Sequence, residues 1–278
     1  MATSNTIELK SARELEKMRR SGILVRSVFN ELEKHLVPGV TTAELDRMAR
    51  RMIEDAGARP AFLGYHGFPA TLCTSVNEEV VHGIPGKRRL LDGDIVSIDC
   101  GLFLEGFCSD TAKTYAIGTV DPNVLELLRV TEESLYKGIE VLRPEVRLGT
   151  LSHTIQATIE PHGFGVIREY TGHGIGRAMH EPPQVPNFGK ADTGMRLRAG
   201  MVLAIEPMVN LGTHRVRVLR DGWTVVTADG KPSAHFEHTV AVRKDGGEIL
   251  SQGSLIRWGL LDGVEDEARG PGAAGEKA

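Results

Sequence analysis

The sequence contains few cysteines and no long apolar run. Its three cysteines, Cys73, Cys100 and Cys108, form no CxxC pair, which excludes a disulfide framework and a thiolate zinc site and favours free thiols in a reducing compartment. No stretch approaches the roughly 18 apolar residues of a membrane-spanning helix. Residues 1–10 lack the basic and then apolar pattern of a secretory signal. We therefore expect a cytoplasmic protein without a membrane partner.

An excess of positive charge is also missing. The 33 lysines and arginines against 37 acidic residues give a net charge of −4. Proteins that bind nucleic acid through phosphate contacts are usually basic, so no direct nucleic-acid specificity is expected. The 41% hydrophobic content is typical of a folded globular chain. Residues 264–278 are rich in Gly, Ala, Glu and Pro, which predicts one folded domain over residues 1–252 and a disordered tail over residues 253–278.

Helical patterning and an internal repeat determine the expected fold class. Apolar residues recur at helical spacing from Ser11 to Leu36, with Gly22 as a candidate kink, and a second helix is expected from Thr42 to Asp55. Residues in and around the second helix recur 106 positions later. The matched residues are Pro38, Val40, Leu45, Ile53, Glu54 and Gly57 with Pro144, Val146, Leu151, Ile159, Glu160 and Gly163. The repeat predicts an α+β fold with antiparallel strands, flanking helices, pseudo-twofold symmetry and a site where the halves meet.

Each half also contains an apolar strand that leads to a carboxylate. Residues 93–99 end at Asp99, and residues 200–206 end at Glu206, 107 positions later. Asp99 is expected to end a buried strand, where an unpaired carboxylate is costly unless it is neutralised, hydrogen-bonded or bound to a metal. Asp110 is expected beside it on the return strand. The two acids repel each other, and both stay ionised only if a cation lies between them.

Glu237, in a second alternating strand pattern, adds a fourth carboxylate to the expected interface. Four such acids carry a charge of about −4, which two divalent metal ions would balance. His173 is the expected nitrogen ligand, because Gly172 and Gly174 on either side let the backbone approach a metal closely. Oxygen-rich ligation with one imidazole suits Mn, Fe, Co or Zn, and the sequence does not identify which.

Five stretches of the chain resemble the bacterial-type, type I methionine aminopeptidases of peptidase family M24, from about residue 7 to residue 250. They are Tyr65–Pro69, Val76–Pro85, Asp92–Val96, Arg168–Gly176 and Ala234–His238. The resemblance implies the pseudo-symmetric "pita bread" fold, in agreement with the repeat. The metal ligands it implies are Asp99, Asp110, His173, Glu206 and Glu237, and the two active-site histidines that bind no metal are His82 and His180.

This resemblance implies a metalloaminopeptidase that removes the initiator methionine from nascent proteins when the second residue is small. In that mechanism two metal ions share a hydroxide that attacks the scissile carbonyl. Glu206, as ligand and base, carries the proton towards the leaving amine. His180 hydrogen-bonds the developing oxyanion, and His82 contacts the scissile amide or the following residue. The implied enzyme is a monomer that acts on nascent N-termini, with contact to the ribosome as a further expectation.

The resemblance also assigns a pocket for the methionine side chain. Apolar and aromatic walls suit an unbranched thioether. The pocket residues are Tyr65, Phe68, Cys73, Met179 and Trp223, with His82 and His180 at the scissile bond. The chain departs from the family pattern at Met179, where an aromatic residue is usual, and at Phe62, so the pocket shape is less well defined than the metal site.

Two other functions fit the same fold. A prolidase-type peptidase shares the five ligands but usually carries a large extra N-terminal domain, whereas only a helix and a few residues precede the repeat here. A binding module that has lost catalysis would lack one or more ligands, and none is missing. Further histidines have no assigned role, although His238, beside Glu237, is a candidate to support that ligand. They include His66, His153, His162, His214, His235 and His238.

Overall fold

Two helix pairs begin the two halves of the structure, a computed structural model that describes residues 6–251. In the first pair, Ser11 and Thr41 form capping boxes with Glu14 and Glu44, which fixes both helix starts as the sequence predicts. The first helix ends at Glu33 rather than at the expected Leu36. The helices are α1 (Ala12–Glu33), α2 (Thr42–Asp55), α3 (Pro122–Glu140) and α4 (Leu148–Ile159).

Gly22 has a packing role, and the predicted kink there is wrong. Helix α1 runs unbroken through this residue. A Cβ atom on Gly22 would lie 2.0 Å from the carbonyl oxygen of Leu250, a distance that no real contact allows. The glycine therefore lets the last described segment pass directly over the helix.

The strands form one large antiparallel sheet and two small ones. The large sheet has the order β1-β4-β5-β14-β9-β7-β8, with β2 paired to β4 and β15 paired to β14; the small sheets have the orders β13-β10-β6 and β11-β12-β3. The strands are β1 (Arg59–Pro60), β2 (Leu72–Val76), β3 (Glu79–Val81), β4 (Ile95–Leu104), β5 (Phe107–Ala116), β6 (Gly165–Val166), β7 (Gly172–Gly174), β8 (Glu181–Val185), β9 (Val202–Ile205), β10 (Met208–Asn210), β11 (Val216–Val218), β12 (Val225–Thr227), β13 (Ser233–His235), β14 (Glu237–Arg243) and β15 (Gly246–Ile249).

The two halves repeat the same backbone hydrogen bonds, which confirms the duplication inferred from the sequence. Two isolated β-bridges, Thr41 with Arg89 and Arg147 with Arg196, join the segment before the second helix of each half to the segment before its apolar strand. The neighbouring bonds match as well. The Gly39 and Glu145 amides donate to the Leu90 and Leu197 carbonyl oxygens, at 2.7 and 3.0 Å respectively. The Leu90 and Leu197 amides donate in turn to the Val40 and Val146 carbonyl oxygens, at 2.9 and 2.8 Å.

Each helix pair covers its own half of the large sheet. The core beneath α1 and α2 includes Phe29, Leu45 and Ile98, and the core beneath α3 and α4 includes Leu151 and Leu203, all of them essentially inaccessible to solvent. The α+β, pseudo-twofold architecture is therefore confirmed. No helix within residues 6–251 is long and apolar enough to cross a membrane. The tail predicted over residues 253–278 lies outside the described residues.

Candidate metal centre

The first two carboxylates come from one long hairpin of β4 and β5. Asp99 pairs with Ala112, and Gly101 pairs with Asp110, so both side chains lie on the same face of the sheet at diagonal positions. Strand β4 continues past Asp99 to Leu104, and the prediction that Asp99 ends a strand is therefore wrong. Asp110 lies on the return strand, as expected.

The other two carboxylates come from the second half and meet the first pair. Glu206 directly follows β9, where Pro207 ends the strand, and Glu237 is the first residue of β14. Glu237 pairs with Ala112, the same residue that pairs with Asp99 on the other side. Strand β14 therefore brings an acid of the second half beside the hairpin of the first.

His173 completes the cluster from β7, where it pairs with Ala204 of β9. Its Nδ1 donates a hydrogen bond to the Gly174 carbonyl oxygen at 2.9 Å, which leaves Nε2 unprotonated in the neutral ring and available to a metal. That Nε2 atom is 3.5 Å from Oε1 of Glu206. The flanking glycines are required by neighbouring strands, because a Cβ on Gly172 or Gly174 would lie 2.3 Å from a carbonyl oxygen of the adjacent strand.

The electrostatics of the cluster fit a bound cation. Burial, reinforced by the neighbouring acids, raises the pKa of Asp99, Glu206 and Glu237 well above the usual range, and burial raises that of Asp110 to about 7. Among the described residues, Asp99 Oδ1 and Glu237 Oε1 are buried without a hydrogen-bond partner. One ligand atom each of Asp110, His173 and Glu237 lies within 4.8 Å of the others. Carboxylate oxygens and one imidazole nitrogen at this spacing suit a divalent transition metal.

A single cavity of about 170 Å³ contains every site residue that the sequence singled out. Strand pairing explains why the proposed pocket adjoins the carboxylates, because Cys73 of β2 lies directly opposite Asp99 of β4. Burial raises the pKa of the Cys73 thiol well above its usual range, so this cysteine is a neutral wall residue. The lining residues are Phe62, Tyr65, Phe68, Cys73, His82, Asp99, Asp110, His173, Met179, His180, Glu206, Trp223 and Glu237.

His82 is held at the cavity in a strained backbone conformation. It directly follows β3 and has φ of +60°, which is unusual for a residue other than glycine. The next residue must be small, since a Cβ on Gly83 would lie 2.3 Å from the Thr74 carbonyl oxygen. The His82 ring makes edge contacts with Tyr170 and Trp223, and burial lowers the pKa of the imidazole to about 4. His82 is therefore a neutral group at pH 7.

His180 lies at the end of the loop between β7 and β8. Its ring centroid is 4.2 Å from that of His173, and its Nδ1 is 2.8 Å from the Tyr65 hydroxyl. Burial, with a smaller effect of His66, lowers the pKa of His180. The preceding residue, Met179, is buried and lines the cavity. The two positions where the chain departs from the family pattern, Phe62 and Met179, are thus both walls of this cavity.

His235 is a residue of the site that the sequence reasoning missed. It is 2% exposed, its Nε2 has no hydrogen-bond partner among residues 6–251, and that atom is 3.7 Å from Oε2 of Glu206. Burial lowers its pKa to about 3. The available signal was the position of His235 two residues before Glu237, inside the stretch Ala234–His238.

His238 was expected to support Glu237, but its side chain bonds to other residues. Its Nδ1 is 2.9 Å from the Ser251 hydroxyl, and its Nε2 is 3.3 Å from the hydroxyl of Tyr136 on α3. The link to Glu237 runs instead through Thr111, whose hydroxyl donates to the Glu237 carbonyl oxygen at 2.6 Å. His238 therefore connects the sheet to α3 and to Ser251.

Comparisons with known proteins identify the family of the chain. The model of metallopeptidase family M24 matches residues 16–244. A methionine aminopeptidase of Clostridium perfringens is 54% identical over 245 residues, which cover 88% of this chain and 98% of that protein. The crystal structure of methionine aminopeptidase from Rickettsia prowazekii superposes with a TM-score of 0.88 at 42% identity, covering 89% of this chain and 100% of that one.

Prolidases share only the fold. The prolidase of Pyrococcus horikoshii superposes with a TM-score of 0.72 at 21% identity, and the match covers 88% of this chain but 63% of that one. The fold and the carboxylate–histidine cluster define a metallopeptidase, and the chain belongs to metallopeptidase family M24. Within that family, its high-identity relatives are bacterial methionine aminopeptidases.

Proposed function

We propose that the chain is a methionine aminopeptidase, which removes the N-terminal methionine of a polypeptide whose second residue is small. One observation carries the proposal: the cavity that contains the carboxylate–histidine cluster is also walled by apolar, aromatic and sulfur-containing side chains. Metal ions held by the cluster would supply the chemistry of hydrolysis, and a wall of Phe68, Met179 and Trp223 suits a flexible thioether. The ring centroids of Phe68 and Trp223 are 5.1 Å apart in an edge-to-face contact, a favourable arrangement for two aromatic side chains.

Five residues would hold two divalent ions, namely Asp99, Asp110, His173, Glu206 and Glu237. The support is the set of raised carboxyl pKa values together with two buried carboxylate oxygens that lack partners. When bound, such ions would acidify a water molecule and polarise the scissile carbonyl. Co, Mn, Fe and Zn all suit these ligands.

The side chains around the metal centre have separate roles in the reaction. Glu206 accepts a proton from the attacking water and delivers it towards the leaving amine. Its Oε2 faces His235 at 3.7 Å and its Oε1 faces His173 at 3.5 Å, so neutral imidazoles flank both oxygens. His180 donates a hydrogen bond to the oxygen on which negative charge develops, and His82 contacts the scissile amide or the second residue.

The partners and the setting follow from this activity. The substrates are N-termini of nascent polypeptides, and the enzyme acts as a cytoplasmic monomer with one catalytic domain over residues 1–252. Contact with the ribosome is part of the same proposal, and co-sedimentation with ribosomes tests it. Sedimentation equilibrium of the purified chain tests the monomer.

Metal reconstitution is the deciding experiment. The protein is stripped of metal, and methionine release from Met-Ala-Ser and Met-Lys-Ser is measured as Co, Mn or Fe is added back. We expect metal-dependent release from the first peptide and not from the second. Cleavage of Ala-Pro without cleavage of Met-Ala-Ser would assign a prolidase-type activity instead. Two bound metal ions with no release from any peptide would assign a binding module.

A further inference from the structure

A buried lysine fixes the segment that precedes α1 to the interior of the protein. Lys10 is 4% exposed, and its amide donates to the Gly200 carbonyl oxygen at 2.7 Å. Its ammonium nitrogen is 2.8 Å from Oε2 of Glu181 and 3.1 Å from Oε2 of Glu8. A buried ammonium group is costly without such partners, so this contact determines where the segment lies.

Glu181 connects the lysine to the loop between β7 and β8. While Oε2 binds Lys10, Oε1 accepts a hydrogen bond from the Ala178 amide at 3.0 Å. The loop is packed tightly on these groups, because a Cβ on Gly176 would lie 2.3 Å from Cε of Lys10 and 2.8 Å from Oε1 of Glu181. The lysine, the glutamate and the turn of the loop therefore form one rigid contact.

That loop carries two wall residues of the cavity, Met179 and His180. The metal-ligand strand has a second anchor away from this contact, since His173 and Gly174 of β7 pair with Ala204 and Leu203 of β9, while Glu181 lies in β8 on the other side. Loss of the Lys10 contact would thus release the loop and leave His173 in its sheet. An effect on Met179 and His180 without an effect on metal binding distinguishes this contact from general stabilisation.

A second contact ties the same loop to the same segment at the surface. Arg177 is 3.3 Å from Glu8 and 2.6 Å from Glu14, and its guanidinium stacks on Phe107 at 4.7 Å. The Arg177 side chain is 56% exposed, and exposed ion pairs contribute little. Of these two ion-pair contacts, the buried one between Lys10 and Glu181 is therefore the stronger constraint on the loop.

We propose that Lys10 is a positioning residue for the aminopeptidase reaction, acting through Glu181 on the loop that presents Met179 and His180. The proposal rests on the proposed function. Because a misplacement of about 1 Å costs roughly 10²-fold in rate, a loosened loop lowers kcat even when the cavity stays open to substrate. The lysine touches neither substrate nor metal.

The kinetic test compares Lys10→Met, Glu181→Gln and the double variant on Met-Ala-Ser. We expect kcat to fall about tenfold or more, with KM within about threefold of the wild type and an unchanged metal content. The double variant should resemble the single ones, since all three break the same contact. Arg19→Met is the matched control: it breaks the 2.6 Å pair with Glu248 on β15, away from the loop, and should keep the wild-type kcat.

A spectroscopic readout keeps the test independent of activity. In protein labelled with methyl-¹³C methionine, the Met179 signal, assigned through Met179→Leu, should shift or broaden in Lys10→Met and Glu181→Gln and stay unchanged in Arg19→Met. An unchanged signal with an unchanged kcat in Glu181→Gln overturns the proposal, even if Lys10→Met fails to fold. A fall in kcat that is equally large in Arg19→Met also overturns it. A wild-type protein that releases no methionine would instead refute the proposed function.

Discussion

The Tyr65 hydroxyl lies 2.8 Å from Nδ1 of His180, and both residues line the cavity that contains the carboxylates. When this hydroxyl donates to Nδ1, the proton of the neutral imidazole is on Nε2. Burial lowers the pKa of His180, so the ring is neutral at pH 7 and depends on this tautomer to act as a hydrogen-bond donor. Tyr65 therefore determines which nitrogen of His180 donates a hydrogen bond.

The first prediction concerns His180 itself. His180→Ala should lower kcat by about 10²-fold or more, because one donor to the developing oxyanion is lost. Metal content, measured by elemental analysis, should equal that of the wild type, since His173 and the four acids are untouched. An unchanged rate at equal metal content would remove His180 from the mechanism.

The second prediction tests the contribution of the His180 tautomer. Tyr65→Phe removes the hydroxyl but keeps the ring, and it should lower kcat by about tenfold, less than the loss of the imidazole, because water can replace the missing partner. In the His180→Ala background the same change should have no further effect on kcat. Steady-state kinetics of the two single variants and the double variant measure this coupling, and fully additive losses would contradict it.

The third prediction tests the ligands. Glu206→Ala and His173→Ala should each abolish methionine release while the chain remains folded, because each change removes a group that faces the cavity rather than the hydrophobic core. Circular dichroism and thermal unfolding check the fold, and calorimetric titration with Mn checks metal affinity. A variant that keeps a near-normal rate with metal bound would refute the assignment of that residue.

The fourth prediction follows from the raised carboxyl pKa values in the protein without metal. A carboxyl whose folded pKa exceeds its unfolded value of about 4 costs stability as the pH rises towards the folded value, which is about 7 for Asp110. Buried histidines act in the opposite direction, but only below their unfolded pKa of about 6.5. Their folded pKa values are about 4 for His82 and about 3 for His173, His235 and His238. Between pH 6.5 and 8 the carboxyls therefore dominate.

Metal-free protein should accordingly lose stability between pH 6.5 and 8, as measured by urea unfolding. Asp99→Asn should be more stable than the wild type at pH 8 and show a smaller slope, although it binds metal more weakly. Burial also raises the pKa of Glu132, which lies outside the site, to about 7. This residue contributes the same pH dependence of stability to both proteins. An identical slope in the two proteins would show that the carboxylate cluster does not cause this loss of stability.

The fifth prediction concerns the pocket wall. Cys73→Leu places additional carbon atoms in a cavity of about 170 Å³ and should raise KM for Met-Ala-Ser about tenfold, or ~1.4 kcal/mol, without changing metal content. Cys100→Ala is the control, since Cys100 belongs to the core beneath α1 and α2. It should lower the unfolding temperature and leave KM unchanged. Equal KM values for the wild type and Cys73→Leu would place the methionine side chain elsewhere.

Local signals explain how much of the fold was predictable. The capping boxes at Ser11 and Thr41 fixed two helix starts because they involve residues three positions apart. The kink expected at Gly22 was wrong because the reason for that glycine is Leu250, which is distant along the chain. Likewise, β4 continues through Gly101 to Leu104, although a glycine usually weakens a strand.

The site was predictable to the extent that its residues follow a strand pattern or a family motif. The repeat made the pairing of Asp99 with Glu206 predictable, because the strands that lead to these two acids are 107 positions apart. Lys10 had no such signal, and the position of His235 two residues before Glu237 did not by itself indicate a role. Their roles depend on what lies across from them, Glu181 in one case and Glu206 in the other, and a single sequence does not record contacts between distant segments.

The position of β14 has a consequence for the order in which the protein becomes active. This strand lies between β5 of the first half and β9 of the second, although among the described strands only β15 follows it in the chain. Until residues 237–243 have left the ribosome, the two halves present unpaired strand edges to each other, and Glu237 is absent from the cavity. A growing chain therefore lacks one carboxylate of the cluster until β14 has paired with β5 and β9.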